Sequence, residues 1–314
     1  MESRSISLGR CDYAWYEIPA RRKPKLLLLH GMMVESHSFN GLIEHLRGDF
    51  HLLLLDLKGH GKSGNGESYD EDYRPPVIAE ELHSFYEQVI SEPFFLLGYS
   101  LGGQYAIQYA GSHPETLRGL ILLDSAPEIS LKSALKILFS VMTTPNLFRG
   151  PEDVRRFYDK KSPGFGDYML EHAMVQDKYG YYSPRYDKKN LAPRDSRKTG
   201  ERSWGLWQAA KKITAPTLIL RAGQSSIIDD EMEVKLREHI AKLDVVRMEG
   251  MGHHLGMTHP ADVAQEISNF RKGLARYSPR TNDPPLVASN KLWGQRHSQH
   301  RLVFPRPFAA VEPP

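Results

Sequence analysis

Short, unbroken apolar runs punctuate this chain, and between them apolar residues recur at helical spacing. Residues 25–29 (Lys-Leu-Leu-Leu-Leu), 50–55, 94–97, 119–123 and 217–220 are each too short for a helix and are bounded by Gly, His, Asp or Pro. Such runs mark strands buried on both faces of a sheet. Residues 6–18 alternate loosely and predict one or two edge strands, or a hairpin, and residues 245–248 predict a last short strand. Residues 39–46 read as a helix, and Ile78, Leu82, Phe85 and Val89 line one face of another. Met232, Leu236, His239 and Leu243 predict a third amphipathic helix, and Val263, Ile267, Phe270 and Leu274 a closing one. Residues 69–76, which hold paired prolines, read as a polar loop, and His113-Pro114-Glu115 ends the helix that follows residue 100. Strand alternating with helix predicts an α/β fold: a mostly parallel central sheet with helices on both faces.

The rhythm breaks after Ala126. Residues 131–142 are helical and apolar, and residues 150–212 turn rich in Lys, Arg, Tyr and Gly with no buried-strand run. We therefore expect a core of residues 1–126 and 213–275, with residues 127–212 inserted as a helical cap or lid over the sheet. Residues 276–314 are proline-rich and basic with no periodicity, so a disordered C-terminal tail is expected there.

Composition narrows the function classes. Forty per cent hydrophobic and 25% charged residues are ordinary for a globular chain of 314 residues. With 41 basic against 38 acidic residues, the net charge of +3 is too balanced to imply a nucleic-acid partner. Cys11 is the only cysteine, so neither an intrachain disulfide nor a thiolate metal cluster can form. The N-terminus lacks the apolar core of a signal peptide, and no apolar run could span a bilayer. A soluble, cytoplasmic protein with no membrane partner is the expectation.

Candidate chemistry centres on Gly98-Tyr99-Ser100-Leu101-Gly102, which directly follows an apolar run and opens a small-residue, helix-compatible segment. That is the setting of a nucleophile elbow, a turn too tight for bulky residues two before and two after the serine. A serine needs a base to take its proton, a group to orient that base, and aimed donors for the oxyanion. The amide of Leu101, at the positive end of a helix, is one such donor. Gly59-His60-Gly61-Lys62-Ser63-Gly64 imitates two nucleotide-binding loops, but no helix opens there and the first P-loop glycine is replaced by Asp56, so it reads as a turn. His253-His254 and the scattered carboxylates lack metal-ligand spacing, and no cofactor is expected.

The full order is a buried strand ending in His30-Gly31, a buried strand ending in Asp56-Leu57-Lys58-Gly59-His60-Gly61-Lys62-Ser63, and the Ser100 elbow. An insertion follows, then a Pro-x-Leu-x-Leu strand at Pro216, then Gly252-His253. In this order the chain resembles the α/β-hydrolase fold family from about residue 5 to 275. The resemblance implies a hydrolase with Ser100 as nucleophile, His253 as base, and the amides of Met32 and Leu101 as the oxyanion hole. His30 is then the residue before the oxyanion loop, and Asp56 a structural turn. Where family members carry Arg-x-Gly-x-x-Ser-Asp after the cap, this chain reads Arg221-Ala222-Gly223-Gln224-Ser225-Ser226-Ile227. The acid is therefore Asp124, at the end of the strand after the elbow helix, or Asp229, which also suits a helix N-cap. A third alternative is that neither serves.

Phe157, Tyr158, Tyr168, Tyr179, Tyr181, Tyr182, Tyr186, Trp204 and Trp207 give the insertion an aromatic character suited to a substrate cavity or to internal packing. The expected partner is a small molecule, aromatic or anionic, and the expected reaction is hydrolysis of an ester, thioester, lactone or activated C–C bond. The resemblance leaves two alternatives: cofactor-free dioxygenase or lyase chemistry with His253 as base, and a non-catalytic ligand-binding member.

Overall fold

Arg4–Leu8 (β1) and Cys11–Ile18 (β2) form an antiparallel hairpin at one side of the sheet in this computed structural model, which describes residues 1–67, 72–162, 164–187 and 196–275. Lys25–Leu29 (β3), Asn40–Leu46 (α1), His51–Leu55 (β4) and Pro75–Phe85 (α2) follow, then Phe94–Tyr99 (β5), Leu101–Ser112 (α3) and Leu117–Leu123 (β6). After an insertion come Thr217–Ala222 (β9), Asp230–His239 (α8), Leu243–Met248 (β10), Leu255–Thr258 (α9) and Pro260–Ala275 (α10). The eight strands run in the order β1-β2-β4-β3-β5-β6-β9-β10, with β2–β4 antiparallel and every pair from β4 to β10 parallel. This is the α/β fold that the strand–helix alternation predicts.

The leucine runs are continuous because both faces of the strands they form are covered. Leu27, Leu29, Leu53, Leu55, Leu96 and Leu122 share one buried cluster with residues of α2, α3 and α8. Their neighbours Leu26, Leu28, Leu52, Leu54, Leu97 and Ile121 are buried on the opposite face. There Phe270 of α10 approaches Phe95 beside Gly119, and Leu42 of α1 approaches Leu123 beside Gly256. Each leucine so buried stabilises the fold by roughly 1.5–3 kcal/mol.

Two expectations shift by a few residues. Pro75 and Pro76 do not lie in a loop but open α2, where a missing N–H leaves nothing unsatisfied; Tyr69, in the same expected loop, lies outside the described residues. Leu243 does not extend α8: the helix ends at His239, Ile240 is extended, and Leu243 begins β10 beside Thr217. Its apolar spacing fitted both elements, and sheet pairing decides between them.

Between β6 and β9 the chain forms Leu131–Thr143 (α4), Pro151–Tyr158 (α5), Phe165–Tyr168 (α6), a π-turn over Met169–Ala173, the hairpin Met174–Gln176 (β7) and Tyr182–Pro184 (β8), and Ser196–Lys211 (α7). Phe148, Phe157, Tyr158, Phe165 and Tyr168 stack edge to face and face to face along this stretch. α7 lies against α3 so closely that a Cβ on Gly111 would stand 2.4 Å from the carbonyl oxygen of Ala209. Its Leu206, Ala209 and Ala210 belong to the main core cluster. The expected tail, residues 276–314, lies outside the described residues.

Candidate active site

Ser100 stands between β5 and α3 with φ 50° and ψ −112°, a conformation few non-glycine residues adopt. The turn is pinned on both sides. A Cβ on Gly98 would lie 2.5 Å from the Cα of Gly103, and one on Gly102 would lie 2.3 Å from the carbonyl oxygen of Leu29. The Ser100 amide donates to the Leu123 carbonyl at 3.2 Å, and the Ser125 hydroxyl donates to the Ser100 carbonyl at 2.7 Å. Substituting either elbow glycine would therefore push the serine out of place.

The Ser100 hydroxyl lies 3.1 Å from Nε2 of His253, and Nδ1 of the same ring lies 2.6 Å from Asp124 Oδ2. Asp124 is fully buried at the end of β6. Its amide continues the ladder by donating to Leu220, and its φ of 43° swings the side chain across the sheet edge. The other carboxylate oxygen accepts the Ala222 N–H at 3.1 Å. A buried carboxylate with a donor on each oxygen keeps one orientation, and so fixes the imidazole it faces.

The structure thus brings Ser100, His253 and Asp124 into one hydrogen-bonded chain and leaves Asp229 out of it. Asp229 N-caps α8, with Oδ1 accepting the Met232 amide at 2.8 Å. Ile227 packs against the core instead of reaching toward the histidine. His254 turns the other way: its Nδ1 shares a 2.8 Å hydrogen bond with the Tyr99 hydroxyl, and its ring lies 5.3 Å from that of Phe165. Burial, and then the neighbouring His253, push the His254 pKa down to about 4, so it is neutral near pH 7.

The Leu101 amide directly follows the serine, and Met32 follows Gly31, where a Cβ would stand 3.4 Å from that of Ser100; among the described residues neither amide donates to a protein acceptor. The loop carrying Met32 is held from three directions. Nε2 of buried His30 accepts the Leu57 amide at 2.8 Å, and Nε2 of buried His60 accepts the Met33 amide at 3.3 Å, which positions Met33 at φ 68°. Burial lowers the pKa of His30 to about 4 and that of His60 to about 3, keeping both neutral and able to accept. Asp56 accepts the Ser36 amide at 3.0 Å and the Lys62 amide at 2.9 Å, and so fixes the turn after β4.

From the insertion, the Tyr168 hydroxyl accepts the Glu35 amide at 3.1 Å and donates to Glu35 Oε1 at 3.1 Å. Sequence reading singled out neither Glu35 nor the role of His60, and Tyr168 only as one of many aromatics. No local signal exists for a contact between residues 133 positions apart. Of the remaining aromatics, Tyr158 and Tyr186 are buried, Trp207 packs on His239, and Tyr179 and Trp204 extend into solvent.

Residues 24–260 match the family model for the alpha/beta hydrolase fold. A "Lipase 3" of a Moraxella species is 25% identical over 281 residues, covering 88% of this chain and 86% of its own. A monoacylglycerol lipase of Homo sapiens is 26% identical over 260 residues, covering 79% of this chain and 75% of its own. Among solved structures, E-2-(acetamidomethylene)succinate hydrolase superposes with a TM-score of 0.76 at 22% identity, covering 86% of this chain and 99% of that one. The chain belongs to the α/β-hydrolase fold family. Within that family it is a hydrolase, the class that the names of its relatives share. Among the described residues no helix is long and apolar enough to cross a membrane.

Proposed function

We propose that this hydrolase is a cofactor-independent serine ester hydrolase acting on a small carboxylic ester, thioester or lactone. One observation carries the reading: Ser100, His253 and Asp124 form a continuous hydrogen-bonded relay on a strained elbow. His253 Nε2 takes the Ser100 proton as Oγ bonds to the substrate carbonyl carbon. Asp124 holds the ring and stabilises the imidazolium that forms. The amides of Met32 and Leu101 receive the developing oxyanion, a contribution of roughly 3–4 kcal/mol per donor in comparable sites. His253 then delivers its proton to the departing alkoxide or thiolate. Water repeats the sequence on the acyl-enzyme, with His253 as its base, and frees the acid and Ser100. The stretch from α4 to β8 acts as a cap over the carboxyl edge of the sheet, where open α/β folds bind their ligands. The lipases among the relatives support an acyl ester as substrate.

A fluorophosphonate probe followed by peptide mass spectrometry tests the mechanism. Ser100 is expected to be labelled, and Ser100→Ala to lose both label and turnover of p-nitrophenyl acyl esters. Absence of label on folded protein, with Ser100→Ala fully active, would overturn it. If His253→Ala were then inactive, the chemistry would rest on the histidine base alone.

A further inference from the structure

A second constellation of chemistry-bearing side chains lies between the oxyanion loop and the insertion. Glu35, His37 and His172 present a carboxylate oxygen and two imidazole nitrogens that all lie within 4.8 Å of one another. Among the described residues they are the one such set of three acidic, histidine or cysteine groups. Glu35 is buried, and His37 and His172 are half-buried. Glu35 Oε1 accepts the His37 amide at 3.1 Å, and Oε2 lies 2.7 Å from His37 Nδ1. The His37 and His172 rings stack at 4.5 Å and 7°, with Tyr16 against the edge of His37 and Tyr168 beside His172. No step proposed for Ser100 uses any of the three.

The geometry points to a binding site for a divalent transition cation of the zinc type, held by Glu35, His37 and His172, that ties the insertion to the loop following Met32. Two imidazoles and one carboxylate suit zinc, cobalt or nickel better than magnesium or calcium, which favour all-oxygen shells. Three protein ligands leave the fourth tetrahedral position to water. Bond lengths of about 2.0–2.1 Å set ligand atoms about 3.3 Å apart in such a shell. Glu35 and His37 therefore separate slightly to admit the ion, and the His172 ring tilts out of its 7° stack with His37 so that both rings can present a nitrogen to it. It is free to do so: among the described residues the His172 ring makes no hydrogen bond to protein, and its nearest ionic neighbour is Glu171 at 3.6 Å. His172 sits on the π-turn Met169–Ala173, one turn past Tyr168, so the ion would add a second tie to the one Tyr168 already makes with Glu35. A cation held there joins the segment behind Met32 to the insertion and acts as a reversible brake on their separation.

Titration of the metal-stripped, untagged full-length chain with zinc chloride alone tests this by calorimetry, with the visible spectrum of the cobalt(II) form reporting coordination. One zinc per chain and a tetrahedral cobalt spectrum are expected. His172→Asn and His37→Asn should each weaken binding by about 10–100-fold or more. His253→Ala should leave binding unchanged, which separates this site from the proposed relay. Zinc should also raise the melting temperature of the wild type but not of His172→Asn, by the mass-action effect of a ligand that binds only the folded state. Equal zinc affinity in wild type and His172→Asn, loss of binding in His253→Ala, or no binding below millimolar zinc would overturn the assignment. Because binding and melting do not depend on turnover, a failed esterase reading and a failed metal site give different results. If His37→Asn does not fold, His172→Asn decides alone.

Discussion

Asp124 and Asp229 were both open to the same role in the sequence, and their surroundings now separate them. Asp124→Asn keeps the shape but loses the charge that faces His253 Nδ1, and in comparable relays such a change lowers kcat by about 10⁴-fold. Asp229→Ala should leave kcat unchanged and lower stability by about 1 kcal/mol through loss of the α8 cap. Steady-state kinetics beside urea unfolding of both variants checks the pair, and the reverse pattern would move the acid to Asp229. Of the neighbouring histidines, the resemblance favours His253, the first after Gly252. His253 contacts Ser100 and Asp124, whereas His254 contacts Tyr99. The direction each ring takes from the backbone fixes which of these contacts it makes.

The loop after β3 and the segment from α6 to the π-turn meet at Glu35 and Tyr168, two elements that sequence reading treated separately. Tyr168→Phe removes the hydroxyl's hydrogen bonds to Glu35 without removing the ring that packs on Phe165. Losing about 1–1.5 kcal/mol of positioning should lower kcat about tenfold with little change in KM, and slow fluorophosphonate labelling of Ser100 in parallel. An unchanged kcat would mean that the tie is structural only. Helix α4 tells a related story. Its apolar pattern read as a helix, and a helix it is, yet Leu131 and Phe139 are 76% and 70% exposed. Periodicity predicts the element, but its burial depends on which neighbours arrive.

Stability should depend on acidity through histidines buried for structural reasons. His30, His60 and His254 have folded pKa values of about 4, 3 and 4, all below the ordinary 6.5, chiefly because burial disfavours the charged ring. Below about pH 6.5 the unfolded chain takes up protons that the folded chain refuses, so stability falls as pH drops, until about pH 3–4 where the folded rings also protonate. Each group contributes a slope of at most about 1.4 kcal/mol per pH unit within its window. Asp56, whose carboxyl is held above its ordinary range by burial, opposes this in part at the acidic end. Urea midpoints should therefore be markedly lower at pH 5 than at pH 7.5, and His254→Gln should shrink the difference. Equal midpoints would contradict the buried, neutral assignment.

Much of this architecture was legible because it is written in local pattern. Five leucine-rich runs separated by helical spacing require a doubly covered parallel sheet, and Gly98-x-Ser100-x-Gly102 between a strand and a helix requires an elbow, since no bulkier side chain fits at Gly98 or Gly102. Tertiary structure decided what depends on pairs distant in sequence. It set Asp124 against His253 across 129 positions, turned His254 onto Tyr99, and placed Tyr168 and His172 beside Glu35. The physical reason is that period and propensity act over a few residues, whereas a hydrogen bond between distant side chains exists only once the sheet order has brought its strand ends together.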